Sequence, residues 1–551
     1  MVSHRGYFAK FLLASVMLTV LTAALTLYLY GPFRHSSFGL VDDHEILRFL
    51  GKNHRVTFDQ IPHILITQTE VGNWGHSARY RPVYYLLRII EAMLEGDHAG
   101  RWYLLRMGII VSAAAGTAVL ALRVTFARGS GWIRFLIAGA LALVVAVLVV
   151  TLPPWQDIAT RLGPSEAYVA FGLTVFAAGA SIVFTAPHRT YAWILLTGGF
   201  VIAVGSKEDC LLLLLPLLAI YVLRFPGAAS KPVVLALGIL ETLFAAFIAI
   251  GVALGISSTG GDVYGDQRSF GLFLSTIPDN FFLFASLAAL LTALLVEMRH
   301  VQPTKTSSRS GPLKLVTNYF SFRPRTLVAA GSVYLVVGEA YFYQNSYRGA
   351  DFAAGRYGYV TEIVTVFAIT AAISALFLMT YARAFATVAV LVGGVVIVAS
   401  SPVGNQIPIA LQTDRAKANA SVDVLRANFA QIEAGVADLR KNTPAQALFI
   451  VDNAYDYEPV YSVPQFLSYY GAVDGIFVSM QMKGSIDNAP GSLQNPSLEA
   501  DLTRMSKRGN TTDNWRVLPN RSLKTDQRIV CFYVDSQPLD TSFCDSVYRV
   551  G

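Results

Sequence analysis

The stretch FAKFLLASVMLTVLTAALTLYLYGPFRHSSFGLVDDHEI, residues 8–46, decides the fold class. Its first part, 8–30, is apolar for about the 20 residues that a helix needs to cross a hydrocarbon core, with a single charge, Lys10, near its start. No small-residue cleavage site follows a short apolar core, so the segment is expected to remain as an anchor and not to be removed as a signal peptide. About a dozen residues beyond the span stand three carboxylates, Asp42, Asp43 and Glu45. Ionisable groups in or beside a membrane span are expensive, so their positions bear on function.

Working outward, the same apolar pattern recurs to residue 401. About eleven spans are readable: 8–30, 103–122, 135–152, 166–185, 191–205, 209–223, 233–255, 281–297, 326–343, 358–380 and 384–401. The fifth and sixth are short and separated only by Ser206–Glu208, which reads as a broken hairpin. Composition agrees. Only 14% of the chain is charged and 54% is hydrophobic, with mean hydropathy +0.48, whereas soluble domains carry about 25% charge. Residues 1–401 hold 29 Lys/Arg and 20 Asp/Glu, and residues 402–551 hold 14 and 16. The second region is near the soluble norm. The expected organisation is a polytopic α-helical membrane domain, 1–401, followed by a small soluble α/β domain, 402–551. A cytosolic enzyme, a disordered scaffold and a collagen-like fibre are excluded.

Basic residues set the orientation. With the N-terminus in the cytoplasm, the inner segments collect Arg5, Lys10, Arg123, Arg128, Arg134, Arg189, Arg224, Lys231, the cluster from Arg299 to Arg325, and Arg383, opposed only by Glu297. An odd span count then places 402–551 outside, periplasmic or extracellular. The expected location is the cell membrane, multi-pass, and the inner membrane if the cell is Gram-negative. The Pro/Ser/Lys/Arg-rich segment 298–325 reads as a cytoplasmic linker. The net charge of +7 therefore reports topology and not nucleic-acid binding.

Under this topology the remaining charges gather at the outer boundary. They are Asp42, Asp43, Glu45, Arg79 and Arg81 in the first outer loop; Asp157, Arg161 and Glu166 between spans three and four; and Lys207, Glu208 and Asp209 at the fifth–sixth turn. Further along come Asp262, Asp266, Arg268, Glu339, Arg348, Asp351, Arg356 and Glu362. The first outer loop, 31–102, is too long for a connector. Its stretch RPVYYLLRIIEAMLEG mixes apolar and aromatic residues with Arg81, Arg88, Glu91 and Glu95, which predicts an amphipathic helix lying in the membrane interface.

The acidic pair VDDHEI at 41–46 after the first span, RYRPVYYLLR at 79–88, GSKEDCLLLLLP at 205–216 and Arg356–Tyr357 before a late span together resemble the C-type (GT-C) integral-membrane glycosyltransferases. The Ser-Lys-Glu segment is similar to one in protein O-mannosyltransferase-like members. The resemblance covers the membrane portion. It implies transfer of a sugar from a polyprenyl-phosphate carrier to a glycan, lipid or protein acceptor on the outer face, with membrane lipids as neighbours. It also implies a loop-one general base at Asp42 or Asp43, since an acceptor hydroxyl is a poor nucleophile until a carboxylate takes its proton. Phosphate charge in the leaving group would be stabilised by Arg79, Arg81, Lys207 and Arg356. Asp157, Arg161 and Glu208 complete the expected substrate-binding set, although the residues around Asp157 and Glu166 match no family motif. Relatives differ in using a divalent cation. An Asp pair alone supplies no metal cage, so no metal ligands are assigned.

Simpler roles stand beside these. Two adjacent aspartates cannot point the same way on an extended segment, so one is expected to cap the following helix. Capping by Asp43 leaves Asp42 as base, and the reverse assignment is open. Arg79 and Arg81 also suit lipid headgroups, and Lys207–Glu208 also reads as an ion pair at a tight hairpin. Glu241, mid-span, reads as a buried group bonded to a neighbouring helix. No HExxH spacing and no GxxxxGK[ST] loop occurs, which argues against a zinc protease and a nucleotide-driven transporter. In the tail, 412–441 has helical spacing, while ALFIVDN at 447–453, IFVSMQM at 476–482 and RIVCFYVDS at 528–536 read as strands. DNAYDYEP at 452–459 follows a strand end and is a candidate acceptor loop. Cys531 and Cys544 lie where oxidation is allowed and can form a disulfide; Cys210 is expected to be packed. Two rival functions are a transporter or flippase of lipid-linked saccharides and a non-catalytic envelope assembly or sensor protein.

Overall fold

The computed structural model describes residues 4–40, 42–51, 53–77, 79–126, 132–259, 355–360, 402–441, 445–451, 477–482, 516–519, 528–534 and 544–550, with isolated positions at 338, 362, 363, 366, 462, 466, 469 and 470. The expected spans 281–297 and 384–401, nearly all of 326–343, most of 358–380, the linker 298–325 and the loop 452–459 lie outside them, as do Asp262, Asp266, Arg268, Glu339, Arg348 and Asp351.

The chain is mostly helical. In order come α1 (His4–Tyr30), α2 (His44–Leu50), α3 (Ile61–Thr67), α4 (Pro82–Glu95), α5 (Ala99–Phe126), α6 (Trp132–Val150), α7 (Pro154–Thr160), α8 (Glu166–Thr185), α9 (Thr190–Ser206), α10 (Leu214–Arg224), α11 (Lys231–Thr259) and α12 (Pro402–Lys441). Among the described residues, five helices are long and apolar enough to cross a membrane, and up to six if the bent pair α6–α7 is one span. The bend is 56°. Pro153 and Pro154 cause it, because proline cannot continue the hydrogen-bond ladder of the preceding turns, and Trp155 Nε1 donates to the Val149 carbonyl at 2.7 Å across the break. α9, at 17 residues, is shorter than a full span.

Burial separates the middle of the bundle from its rim. α8 is two-thirds buried over its apolar window, against 28% for α1 and 22% for α11. On α1, Leu12, Leu13, Val16, Met17 and Val20 are each more than half exposed. An unpartnered apolar face of that size belongs in lipid and not in water. The chain is thus a membrane-associated helical protein.

α8 and α9 form the tightest pair. A Cβ added to Gly172 would stand 2.6 Å from the Ala203 nitrogen, one on Gly179 2.4 Å from the Leu196 nitrogen, and one on Gly199 2.2 Å from the Phe176 nitrogen. Membrane helices gain their contact from such small-residue seams, since lipid offers no hydrophobic drive for helix association. At the end of this hairpin Lys207 leaves the helix in extended geometry, and a 3-10 turn, Glu208–Leu213, leads into α10. The break read from the sequence between the fifth and sixth spans therefore falls at Lys207.

The tail begins with the 40-residue α12, which starts earlier than the expected residue 412. Five strands follow: β1 (Ala445–Val451), β2 (Phe477–Met482), β3 (Arg516–Pro519), β4 (Arg528–Val534) and β5 (Ser546–Arg549). They form one sheet in the order β3-β2-β1-β4-β5, every neighbouring pair parallel. The order reverses between β1 and β4, as in doubly wound sheets. α12 is fastened to the sheet by Asp438, which accepts from Arg528 at 2.6 Å and from the Tyr548 hydroxyl at 3.1 Å. Cys531 and Cys544 are joined in a disulfide with a Cα–Cα distance of 5.9 Å, and Cys210 is buried.

Candidate active site

The two aspartates are placed very differently. Asp43 is wholly buried. It stands at the N-cap position of α2 but makes no side-chain cap bond. Its carboxylate instead accepts from the Gly39 N–H at 2.6 Å and the Leu162 N–H at 3.0 Å, tying the start of loop one to the loop between α7 and α8. Burial pushes its carboxyl up to about 7, against these donors and Arg88, which favour the charged form. Asp42 keeps 30% of its side chain exposed. Its φ is 66°, a region that non-glycine residues rarely occupy. Its backbone carbonyl accepts from Arg88 Nη2 at 2.7 Å, and its carboxylate meets Arg356 Nη1 at 3.4 Å.

What holds Asp42 in that pose is the turn at residues 161–163. Gly163 lies against it so closely that a Cβ there would fall 1.9 Å from the Asp42 Cβ. Tyr84 donates to the Gly163 carbonyl at 2.7 Å and Arg106 to the Leu162 carbonyl at 2.6 Å. Arg88, fully buried, bonds Tyr84 and Glu45, the latter at 3.0 Å. Beneath it Tyr168 donates to Glu91, whose carboxyl is raised by burial, and Arg106 lies over the Tyr168 ring. α4 is amphipathic as expected, but two of its charges, Arg88 and Glu91, are buried in the protein. Arg88 and Glu91 face inward because each has a buried partner, and unpaired they would be too costly to hold there.

The expected cations come together around Arg356 and Glu166. Arg356 donates its backbone N–H to Asp157 Oδ2 at 3.3 Å, and its guanidinium lies 5.2 Å from the Tyr357 ring. Lys207 shares that ring at 5.1 Å and pairs with Glu166 at 3.0 Å. Arg81 grips Glu208 through two bonds of 2.8 and 3.0 Å. Lys207 and Glu208 thus do not pair with one another, since the extended Lys207 sends them to separate partners on α8 and loop one. Arg79 acts electrostatically on Glu70 and Glu208, and Arg161 holds Asp157 at 3.4 Å near the surface. Among the described residues no group of three His, Cys, Asp or Glu is set to hold a metal.

Sequence reasoning missed Arg88, Arg106, Tyr84 and Gly163 as organisers. A signal existed: Tyr84, Arg88 and Glu91 are spaced four and three apart, which puts them on one helix face. A second site feature is Ser462, fully buried. Its hydroxyl donates to the Leu40 carbonyl, so the 2.9 Å contact with His44 Nδ1 must have the imidazole as donor, because a hydroxyl has one proton. Burial lowers His44 to about 4, so the ring is neutral. The tail thereby touches loop one on both sides of the aspartate pair.

Chemically, the arrangement offers a half-exposed carboxylate in contact with a guanidinium, and a second cation one aromatic ring away. It can accept a proton and bind an anion within one small region. No protein-family model matches the chain, and neither the curated proteins nor the solved structures contain a significant match to it.

Proposed function

We propose that this is a GT-C-like membrane glycosyltransferase that moves a sugar from a polyprenyl-phosphate carrier to a glycan, lipid or protein acceptor. The observation that carries the reading is the Asp42–Arg356 contact, with Lys207 and Arg356 both lying against the Tyr357 ring. Asp42 takes the proton of the acceptor hydroxyl as its oxygen attacks the anomeric carbon. The bond from that carbon to the carrier phosphate breaks, and the electron pair stays on the phosphate. Arg356 and Lys207 stabilise the charge that gathers there, and Arg356 can do so with two parallel bonds. Asp43 serves as a structural tie. The finer topology belongs to the same reading: about eleven spans, a cytoplasmic N-terminus, and residues 402–551 as an outer domain that helps to select the acceptor.

The test is transfer by the purified full chain in lipid nanodiscs, with polyprenyl-phosphate sugars and a set of acceptors. Asp42→Asn is expected to lower the rate by about 10²–10⁴-fold, with folding retained. Asp43→Asn is expected to lower the yield of folded protein first. Full transfer by Asp42→Asn would remove Asp42 as the base. Transport of the lipid-linked sugar across the bilayer without transfer would favour a flippase.

A further inference from the structure

A cavity of about 560 Å³ lies between α7, the end of α1 and α12. That volume is within the range of small-molecule sites. Its walls include Phe33, Gln156, Asp157, Asp414, Lys417 and Ser421. Asp157 belongs to two places at once: it lines the cavity, and its carboxylate accepts the backbone N–H of Arg356, whose guanidinium meets Asp42. The cavity is therefore one residue removed from the Asp42–Arg356 pair, and α12 supplies part of its wall while Lys207 and Arg81 do not line it.

The lining selects a chemistry. Arg161 pairs with Asp157 at 3.4 Å and Lys417 lines the cavity with Asp414, so the charges balance and the lining carries no cationic excess for a phosphate. An amide, a hydroxyl and the carboxylates offer many hydrogen-bonding atoms to a neutral group rich in hydroxyls, and Phe33 adds an apolar ring. We infer that this cavity is the acceptor subsite and that it takes a neutral saccharide. The inference rests on the transferase reading and adds to it the class of acceptor. It also divides the site: basic residues hold the carrier phosphate on one side of Asp42, and carboxylates and hydroxyls hold the incoming sugar on the other.

Ligand-observed NMR on the full chain in nanodiscs tests the inference, with a mixture of methyl glycosides of neutral hexoses and pentoses as probe. At least one glycoside is expected to receive saturation from the protein. Ser421→Trp, which fills the cavity, should abolish that signal. The milder Asp414→Asn, which keeps the volume, should weaken binding about tenfold, the loss expected for one hydrogen bond to a charged group. Unchanged melting temperatures for both variants show that the fold is kept. Absence of any glycoside signal, or a signal that survives both changes, overturns the inference. Binding of short-chain phosphatidylethanolamine at these residues with no glycoside bound assigns the cavity to a lipid headgroup and also overturns it. Asp42→Asn is expected to bind the glycoside normally, so loss of transfer in that variant bears on the transferase reading alone.

Discussion

Two sets of charges meet at the turn of residues 161–163, and they are built in opposite ways. On the inner side Arg88, Arg106, Glu91 and Asp43 are buried; Arg88, Arg106 and Asp43 bond main-chain groups at this turn and in loop one mostly at 2.6–3.0 Å, with one contact of 3.5 Å from Arg88 to the Gly163 carbonyl. On the outer side Asp42, Arg356 and Asp157 are partly exposed and hold each other at 3.3–3.4 Å. The inner set is turned inward, onto the backbone and onto the side chains of Tyr84, Glu45 and Tyr168. The outer set is loose, and a carboxylate in a long contact keeps lone pairs for a substrate. Charge is thus arranged in two separate ways around this turn, and the difference lies in burial and in the partners, not in residue type.

Removing an inner charge should have the largest effect. Arg88→Leu leaves Glu45 and the Asp42 carbonyl without their buried partner, and a broken buried pair costs about 3–5 kcal/mol. Little folded protein should survive detergent extraction and size-exclusion chromatography; a variant with normal yield and melting temperature would break the distinction. Gly163→Ala comes next. The added Cβ collides with Asp42, and overpacking of this kind costs about 1–3 kcal/mol, to be read as a lower melting temperature together with slower transfer.

A pH experiment sharpens the comparison further. Asp43, raised by burial from near 3.8 to about 7, contributes stability at low pH that is lost as pH rises through about 7. His44, lowered from 6.5 to about 4, contributes stability at high pH that is lost as pH falls from 6.5 toward 4. Between these values the two slopes oppose each other, so the native protein should show a shallow pH profile. His44→Gln should unmask Asp43, with the melting temperature falling from about pH 4 to 7. A profile that rises over that window would exclude Asp43 as the titrating group. Smallest in stability is Arg356→Gln, expected to cost less than about 1 kcal/mol as a partly exposed pair, while transfer drops because the anion loses its partner.

The partly exposed charges were legible in the sequence because they stand at the ends of apolar runs or in the segments between them. Asp42, Arg81, Asp157, Lys207, Glu208 and Arg356 could be assembled from apolar run lengths and the placement of Lys and Arg. The inner set was not, since Arg88 and Glu91 sit on a helix whose composition also suits an interfacial position, and Arg106 lies inside an apolar run. Their burial depends on partners far along the chain, Glu45 and Tyr168 among them. Three of the five described strands of the tail, β1, β2 and β4, were readable from their apolar runs; the four-residue β3 and β5 were not, nor was the strand order, because parallel neighbours are chosen by packing and not by local sequence. The choice between Asp42 and Asp43 was closed to sequence for a similar reason: the donors that claim Asp43 are backbone N–H groups.

The positive φ of Asp42 has a consequence for how this protein can change. Holding a non-glycine residue there costs roughly 1 kcal/mol or more, and glycine would relieve it at once. The same replacement deletes the carboxylate that faces Arg356. Under the proposed transferase reading, heat tolerance and catalysis are thus opposed at a single codon. A library screened for thermal endurance alone is expected to drift toward glycine at position 42, and its most durable clones should be the ones that no longer transfer sugar.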